Sequence, residues 1–255
     1  MDCFFAPLGD ERYRATVHTT GPWDAAAQHG GPPSALLGRA VERCSPRPDM
    51  AVARVTVELL GAVPVGELQV NARVVRPGRS VELVEATLAA GGRDVARAYA
   101  WRIRSTDQSV ETTLPTPAPL PSTAQPPPSD GWVDGYVSAV EWRPVSGVFG
   151  EPGPATIWTR LRYPLVDGED NSPLTRVLAI ADSGNGISSA LDPATHLFIN
   201  PELTVHQFRA AEGEWVCLDA GTSVSAGGTG LATSVLSDAR GPLGVGAQSL
   251  LVAAR

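Results

Sequence analysis

The sequence predicts an α+β fold in which one structural plan occurs twice, on either side of a proline-rich segment. Each half begins with strand-like residues, continues into an amphipathic helix that starts at proline, and ends with a run of antiparallel strands. The segment 114–130 has seven prolines in seventeen positions, which neither a central strand nor a helix tolerates. We therefore expect an N-terminal domain over 1–113, a linker over 114–130 and a C-terminal domain over 131–255.

The first half opens with a strand and a helix whose start is marked by glycine and proline. Residues 13–19 alternate in polarity, as a half-buried strand does. Pro32 and Pro33 suit the first turn of the helix that follows, where an amide hydrogen would be unpaired anyway. Before them, Gly30 and Gly31 have no Cβ, so a ligand can approach their amides closely. The same pair also fits a simple flexible turn between strand and helix.

The remaining elements follow from alternation, turn residues and capping. In the second half, Ser172 is a good N-cap and Pro173 a good first residue for a helix. Glycine and proline mark the turns between strands. Strands are predicted at 52–60, 67–76, 80–90 and 94–104 in the first half, and at 138–144, 155–163, 202–208, 214–223, 230–237 and 244–253 in the second.

Composition excludes several classes of function. All 20 basic residues are arginine, so there is no lysine for a phosphate-binding loop, a Schiff base or a lysine general base. The net charge of −7 and the absence of a basic run argue against nucleic-acid binding. No apolar run approaches the roughly 18 residues that span a membrane. Three widely spaced cysteines and dispersed histidines indicate neither disulfides nor a metal site. We expect a soluble cytoplasmic protein.

Four motifs carry a resemblance to a known family. A helix segment ends at Asp182, a hydroxyl-rich strand contains Thr222 and Ser223, a terminal strand carries Gln248, and the segment 29–31 leads into the first helix. With this repeated plan, the chain resembles the acyl-CoA thioesterases of the TesB type. The resemblance implies a double hotdog fold, in which two antiparallel sheets each wrap a long helix.

The resemblance also implies a reaction and its residues. Asp182 would be the catalytic carboxylate, Ser223 or Thr222 the hydroxyl, and Gln248 the amide, while His29, Gly30 and Gly31 would contact the substrate. The implied reaction of lipid metabolism is hydrolysis of an acyl-CoA or acyl-carrier thioester, without metal or cofactor. Asp182 would activate a water, or would attack the carbonyl itself to form an anhydride.

Two other functions stay open at this point. A hotdog hydratase or dehydratase would want an Asp/His pair on one loop, and no histidine is near Asp182 along the chain. A non-catalytic protein could hold an acyl chain in the same pocket without turnover. A monomer is compatible with two hotdog units in one chain, and exposed sheet edges would also allow a homodimer.

Overall fold

Two long helices lie against one antiparallel sheet in this protein. The computed structural model describes residues 2–106, 135–147, 151–192 and 194–255. The predicted linker 114–130 is outside the described residues, so the domain boundaries stay a prediction.

The N-terminal half contains six strands and one long helix within the described residues. A 3-10 turn at Val17–Thr19 precedes that helix. The elements are β1 (Phe5–Gly9), β2 (Arg12–Ala15), α1 (Gly31–Arg43), β3 (Met50–Leu59), β4 (Glu67–Arg76), β5 (Val81–Ala90) and β6 (Arg93–Arg104).

The C-terminal half adds seven strands, one long helix and two short ones within the described residues. The elements are α2 (Tyr136–Ala139), β7 (Val140–Ser146), β8 (Ala155–Leu161), α3 (Pro173–Ala181), α4 (Gly184–Ile187), β9 (His196–Ile199), β10 (Glu202–Gln207), β11 (Val216–Val224), β12 (Thr229–Asp238) and β13 (Gly241–Ala254).

The two halves share one strand order. In the sheet, the N-terminal half has the order β2-β4-β5-β6-β3 and the C-terminal half has the order β8-β11-β12-β13-β10. Along the chain, the long helix follows the first strand of each order and precedes the last one. This order confirms the predicted repeat and the double hotdog plan. Strands β3 and β10 pair antiparallel, with Val57 opposite Leu203, so the two sheets are joined edge to edge into one.

The two long helices pack antiparallel, and this arrangement positions the candidate site. Near the start of α1, a Cβ on Gly31 would lie 2.1 Å from the carbonyl oxygen of Ala179, close to the end of α3. At the other end of α1, Glu42 accepts a hydrogen bond of 2.6 Å from the hydroxyl of Ser172, the N-cap of α3. Leu36, Leu37, Val177 and Leu178 of the two helices are fully buried. The start of α1 therefore lies beside the end of α3.

Two predicted strands have boundaries that differ from those expected. The strand predicted at 13–19 ends at Ala15, because the Thr16 side chain accepts a hydrogen bond from His18 N and caps a 3-10 turn instead. The strand predicted at 138–144 begins at Val140, after the short helix α2. Strands β1 and β9 and helix α4 were not predicted, because each is too short for its periodicity to stand out.

Candidate active site

Asp182 is a buried carboxylate at the point where the two halves meet. It follows the last residue of α3 as its C-cap, and α4 begins two residues later, so the chain turns at this position. Only 3% of the residue is exposed. A buried carboxylate needs several hydrogen-bond or charge partners to offset the loss of its hydration. Its partners, His29, Asn200 and Gln248, come from three different segments of the chain.

Two amide side chains hold one oxygen of Asp182. Asn200 Nδ2 donates to Oδ1 at 2.7 Å. Gln248 Nε2 donates to the same oxygen at 3.2 Å and to the Asp182 backbone oxygen at 3.0 Å. The other end of this amide is also fixed, because Gln248 Oε1 accepts from Asn185 N at 3.0 Å. Gln248 has two N–H groups, and both are directed at Asp182.

The other oxygen of Asp182 faces His29. His29 Nδ1 lies 3.2 Å from Asp182 Oδ2 and 3.0 Å from Gly31 N. A single ring nitrogen either accepts from the Gly31 amide or, when protonated, donates to the carboxylate, so one proton decides between the two bonds. The ring stacks on Tyr136, with centroids 3.9 Å apart. Burial lowers the pKa of His29, although the nearby Asp182 opposes this effect.

The glycine pair brings the first half within reach of Asp182. A Cβ on Gly30 would lie 2.7 Å from Asp182 Oδ2, a distance that only glycine permits. Pro32 and Pro33 carry no amide hydrogen, and Gly31 N donates to His29, so few donors remain at the start of α1. Gly30 N has no acceptor among the described residues. It is therefore available to a ligand at the positive end of the helix dipole.

The predicted hydroxyl residues do not contact Asp182. Thr222 Oγ1 lies 2.9 Å from the hydroxyl of Ser188, and Ser223 is exposed. Neighbouring residues of a strand point to opposite faces, so Thr222 turns toward α4 and Ser223 turns away from it. Ser223 therefore makes no hydrogen bond to Asp182 in this structure, and its role in the site stays a prediction. The structure brings together Asp182, Gln248, His29, Gly30 and Gly31.

Asn200 is a further member of this cluster, which the sequence did not single out. It lies between β9 and β10, and it was missed because nothing in the local pattern separates it from an ordinary turn residue. Asp182 also has a histidine beside it in space, although none is near it along the chain. His29 is distant along the chain, and the antiparallel packing of α1 and α3 brings it to Asp182.

Other kinds of site find no support in the described residues. No group of three or more His, Cys, Asp and Glu side chains there could hold a metal ion. None of the helices within these ranges combines the length and apolar composition that crossing a bilayer requires. A cleft of about 700 Å³ lies at the far end of α1, lined in part by Glu42, Leu174 and Phe208, and is separate from Asp182.

Several solved structures share the fold of this chain. A candidate thioesterase II from Thermobifida fusca is 19% identical over 98% of both chains, with a TM-score of 0.74. A candidate thioesterase from Novosphingobium aromaticivorans is 23% identical over 97% of this chain and 98% of its own, with a TM-score of 0.70. The acyl-CoA thioesterase II TesB2 from Mycobacterium marinum is 15% identical over 98% of this chain and 95% of its own, with a TM-score of 0.68. At this level of identity the likeness concerns the fold.

Family membership rests on matches of the sequence to two domain families. A comparison with curated proteins found no match. The N-terminal domain of the acyl-CoA thioesterases matches residues 19–103, and their C-terminal domain matches residues 115–252. The first match contains His29, Gly30 and Gly31, and the second contains Asp182, Asn200 and Gln248. The chain therefore belongs to the acyl-CoA thioesterase family.

Proposed function

We propose that the chain hydrolyses acyl-CoA or a related acyl thioester to the free acid and thiol, with Asp182 as the general base for the attacking water. One observation carries this proposal. Asp182 is buried, its Oδ1 is held by two amide donors, and its Oδ2 has no N–H donor other than His29 among the described residues. A fixed carboxylate with one oxygen left for chemistry suits proton abstraction.

The neighbouring groups have separate roles in this proposal. Gln248 positions Asp182, because both of its N–H groups are already bonded there. The side-chain carbonyl of Asn200 accepts no hydrogen bond from the described residues, so it can orient the water. Gly30 N, at the start of α1, can donate to the oxyanion that develops on the thioester carbonyl.

The experiment is release of free thiol from acyl-CoAs with short, long and aromatic acyl groups. We expect Asp182→Asn to lower kcat/KM by at least about 10²-fold, the scale of a lost general base. Asp219→Asn is the matched control, because Asp219 is an exposed carboxylate on β11, and it should retain wild-type activity. If wild type releases no thiol but acyl-CoA raises its Tm, the chain is an acyl-thioester binding protein instead.

One contact favours a second candidate function. His29 beside Asp182 is an Asp/His pair, which a hydratase or dehydratase acting on enoyl or hydroxyacyl thioesters would use as acid and base. An α,β-unsaturated acyl-CoA separates the two reactions. Hydration removes the enoyl absorbance without releasing thiol, whereas hydrolysis releases thiol in proportion to substrate consumed.

The cysteines bear on the compartment in which the protein acts. Cys3, Cys44 and Cys217 are all free thiols. Unpaired cysteines are typical of the reducing cytoplasm. We propose that the chain acts there on acyl thioesters of lipid metabolism.

A further inference from the structure

His29 contacts Asp182 and is the more exposed of the two side chains. Its Nδ1 is 3.2 Å from Asp182 Oδ2, and 15% of its side chain is exposed, against 4% for Asp182. Its Nε2 makes no hydrogen bond with the described residues and is not fully buried. One ring nitrogen therefore faces the general base while the other is free to meet a substrate.

We propose that His29 is a second catalytic residue, which takes a proton from Asp182 at Nδ1 and delivers a proton from Nε2 to the sulfur of the leaving thiol. This inference rests on the proposed hydrolysis. It gives His29 a chemical role in place of a purely substrate-binding one.

The proposed hydrolysis moves one proton onto Nδ1 of His29 and one proton away from Nε2. The water oxygen bonds to the thioester carbonyl carbon, while a water proton passes to Asp182 Oδ2 and then to His29 Nδ1. The C–S bond breaks, its electron pair stays on sulfur, and sulfur takes the proton from Nε2. The products are the acid and the thiol. The neutral ring, now protonated on Nδ1, returns to its first tautomer by exchange with water.

The surroundings of the ring suit this exchange. Tyr136 stacks on one ring face and is itself fixed, because its hydroxyl donates to Ala179 O at 2.8 Å and lies 2.9 Å from Ser183 Oγ. Burial raises the pKa of Tyr136, so this neighbour stays neutral. The charged group that faces the ring is Asp182, and the start of α1 presents the Gly31 amide. Burial lowers the pKa of His29, so its protonated form gives up a proton readily.

Protonation of Nδ1 also changes the start of α1. Nδ1 accepts from Gly31 N only while it is unprotonated. When the proton arrives from Asp182, that acceptor is lost and the Gly31 N–H is released. A second donor thus becomes available beside Gly30 N at the stage when negative charge develops on the carbonyl oxygen.

The test compares leaving groups with one acyl group held constant. We would measure kcat/KM for thioesters of an alkyl thiol such as CoA and of a more acidic aryl thiol, which leaves without protonation. His29→Asn keeps a side-chain acceptor for Gly31 N but cannot relay a proton. We expect it to lose about 10²-fold on the alkyl thioester and less than about 10-fold on the aryl thioester. His206→Gln is the control, since His206 is exposed on β10, and should match wild type on both.

Equal losses on both thioesters, or no loss on either, would overturn the proposal and leave His29 a supporting residue. A measurement on wild type alone covers the case in which His29→Asn does not fold. Across a series of thiols, kcat/KM should depend only weakly on thiol pKa, and a steep dependence would contradict protonation of the sulfur. Failure of the proposed function looks different, because wild type would then hydrolyse no thioester at all, which would refute both ideas.

Discussion

At the scale of single residues, the site depends on two glycines that no other residue can replace. Gly30 lies against the Asp182 carboxylate and Gly31 lies against the backbone of Ala179. The second contact is the less forgiving, because a carbonyl oxygen in the last turn of a buried helix cannot rotate out of the way. The approach of α1 to α3, and with it the distance between His29 and Asp182, depends on the missing Cβ of Gly31.

We predict that Gly31→Ala destabilises the protein by about 3 kcal/mol, at the upper end of what overpacking costs. The new Cβ would be 2.1 Å from Ala179 O, so the helices must move apart and activity should fall with stability. Urea unfolding measures the first effect and thiol release the second. Gly66→Ala is the control, since nothing lies within 4 Å of its added Cβ. Equal stability of the two variants would contradict the close approach of the helices.

Asn200 and Ser223 provide the second prediction at this scale. Asn200 donates to Asp182 Oδ1 at 2.7 Å, whereas Ser223 is exposed on β11. Asn200→Ala should lower kcat/KM by about 10²-fold, because it removes a charge-assisted hydrogen bond to Asp182, the proposed general base. Ser223→Ala should stay within about twofold of wild type. The reverse result would restore the hydroxyl on β11 to the site and remove Asn200 from it.

At the scale of elements, local signals predicted most of the secondary structure. Ser172 and Pro173 predicted the start of α3, and Ser172 does cap it by accepting from Thr175 N at 3.1 Å. The strand predicted at 67–76 is β4, residue for residue. Caps and alternation depend on neighbours in sequence, which is why they can be read without the fold.

The site was less predictable, because its geometry comes from contacts between distant elements. Asp182 and Gln248 could be proposed from a resemblance. The hydrogen bond from Asn200 depends on how the β9–β10 connection passes the end of α3, and the position of His29 depends on antiparallel helix packing. The resemblance offered Ser223 or Thr222, and without the register of β11 it could not say which of the two adjacent hydroxyls faces inward.

The β12–β13 hairpin supplies the prediction for this scale. Asp238 ends β12, and its side chain has no exposed surface. Arg209 donates to both of its oxygens, at 2.5 and 2.7 Å, and the backbone amides of Glu212 and Arg240 each donate at 2.8 Å. Burial alone would raise the pKa of Asp238, but these donors outweigh it and hold the pKa below its usual value.

Asp238→Asn should cost about 3 kcal/mol at pH 7, because it leaves Arg209 partly buried without its counter-charge. Since the folded pKa is lowered, the contribution of Asp238 is fully present above its unfolded pKa of about 3.9 and is lost as pH falls through the folded value. Urea unfolding of wild type and variant should therefore differ most near neutral pH and converge in acid. Asp219→Asn should follow wild type throughout. A difference that does not change with pH would rule out the ionised pair as its cause.

At the scale of the whole molecule, the two halves form one unit. Buried residues of α1, α3 and both sets of strands belong to one apolar core, and β3 pairs with β10 across the junction. The candidate site is composite in the same sense. His29, Gly30 and Gly31 come from the first half, and Asp182, Asn200 and Gln248 come from the second. Loosening the contact between the halves should therefore weaken stability and activity together.

Arg39 and Glu169 make a polar contact that tests this coupling. The Arg39 guanidinium of α1 donates to both oxygens of Glu169 in the second half, each at 2.7 Å, and Arg43 adds a third bond at 3.0 Å. Arg39 also donates to the hydroxyl of Tyr13 on β2 at 2.9 Å, so the contact reaches the first sheet. The Arg39 hydrogen bonds, working against partial burial, hold the pKa of Glu169 below its usual value.

We predict that Glu169→Gln lowers the free energy of unfolding by about 1 kcal/mol at pH 7, since 36% of the Glu169 side chain is exposed and solvent screens the pair. With a lowered folded pKa, the contribution of Glu169 is present above its unfolded pKa of about 4.3 and disappears as pH falls through the folded value. The variant should therefore be less stable than wild type near neutral pH and equal to it in acid. Glu58→Gln, at an exposed position on β3, should match wild type at every pH. Arg39 lies on the helix that begins at Gly31, so kcat/KM should fall in Glu169→Gln but not in Glu58→Gln. If Glu169→Gln loses stability without any change in activity, the site does not depend on this contact between the halves.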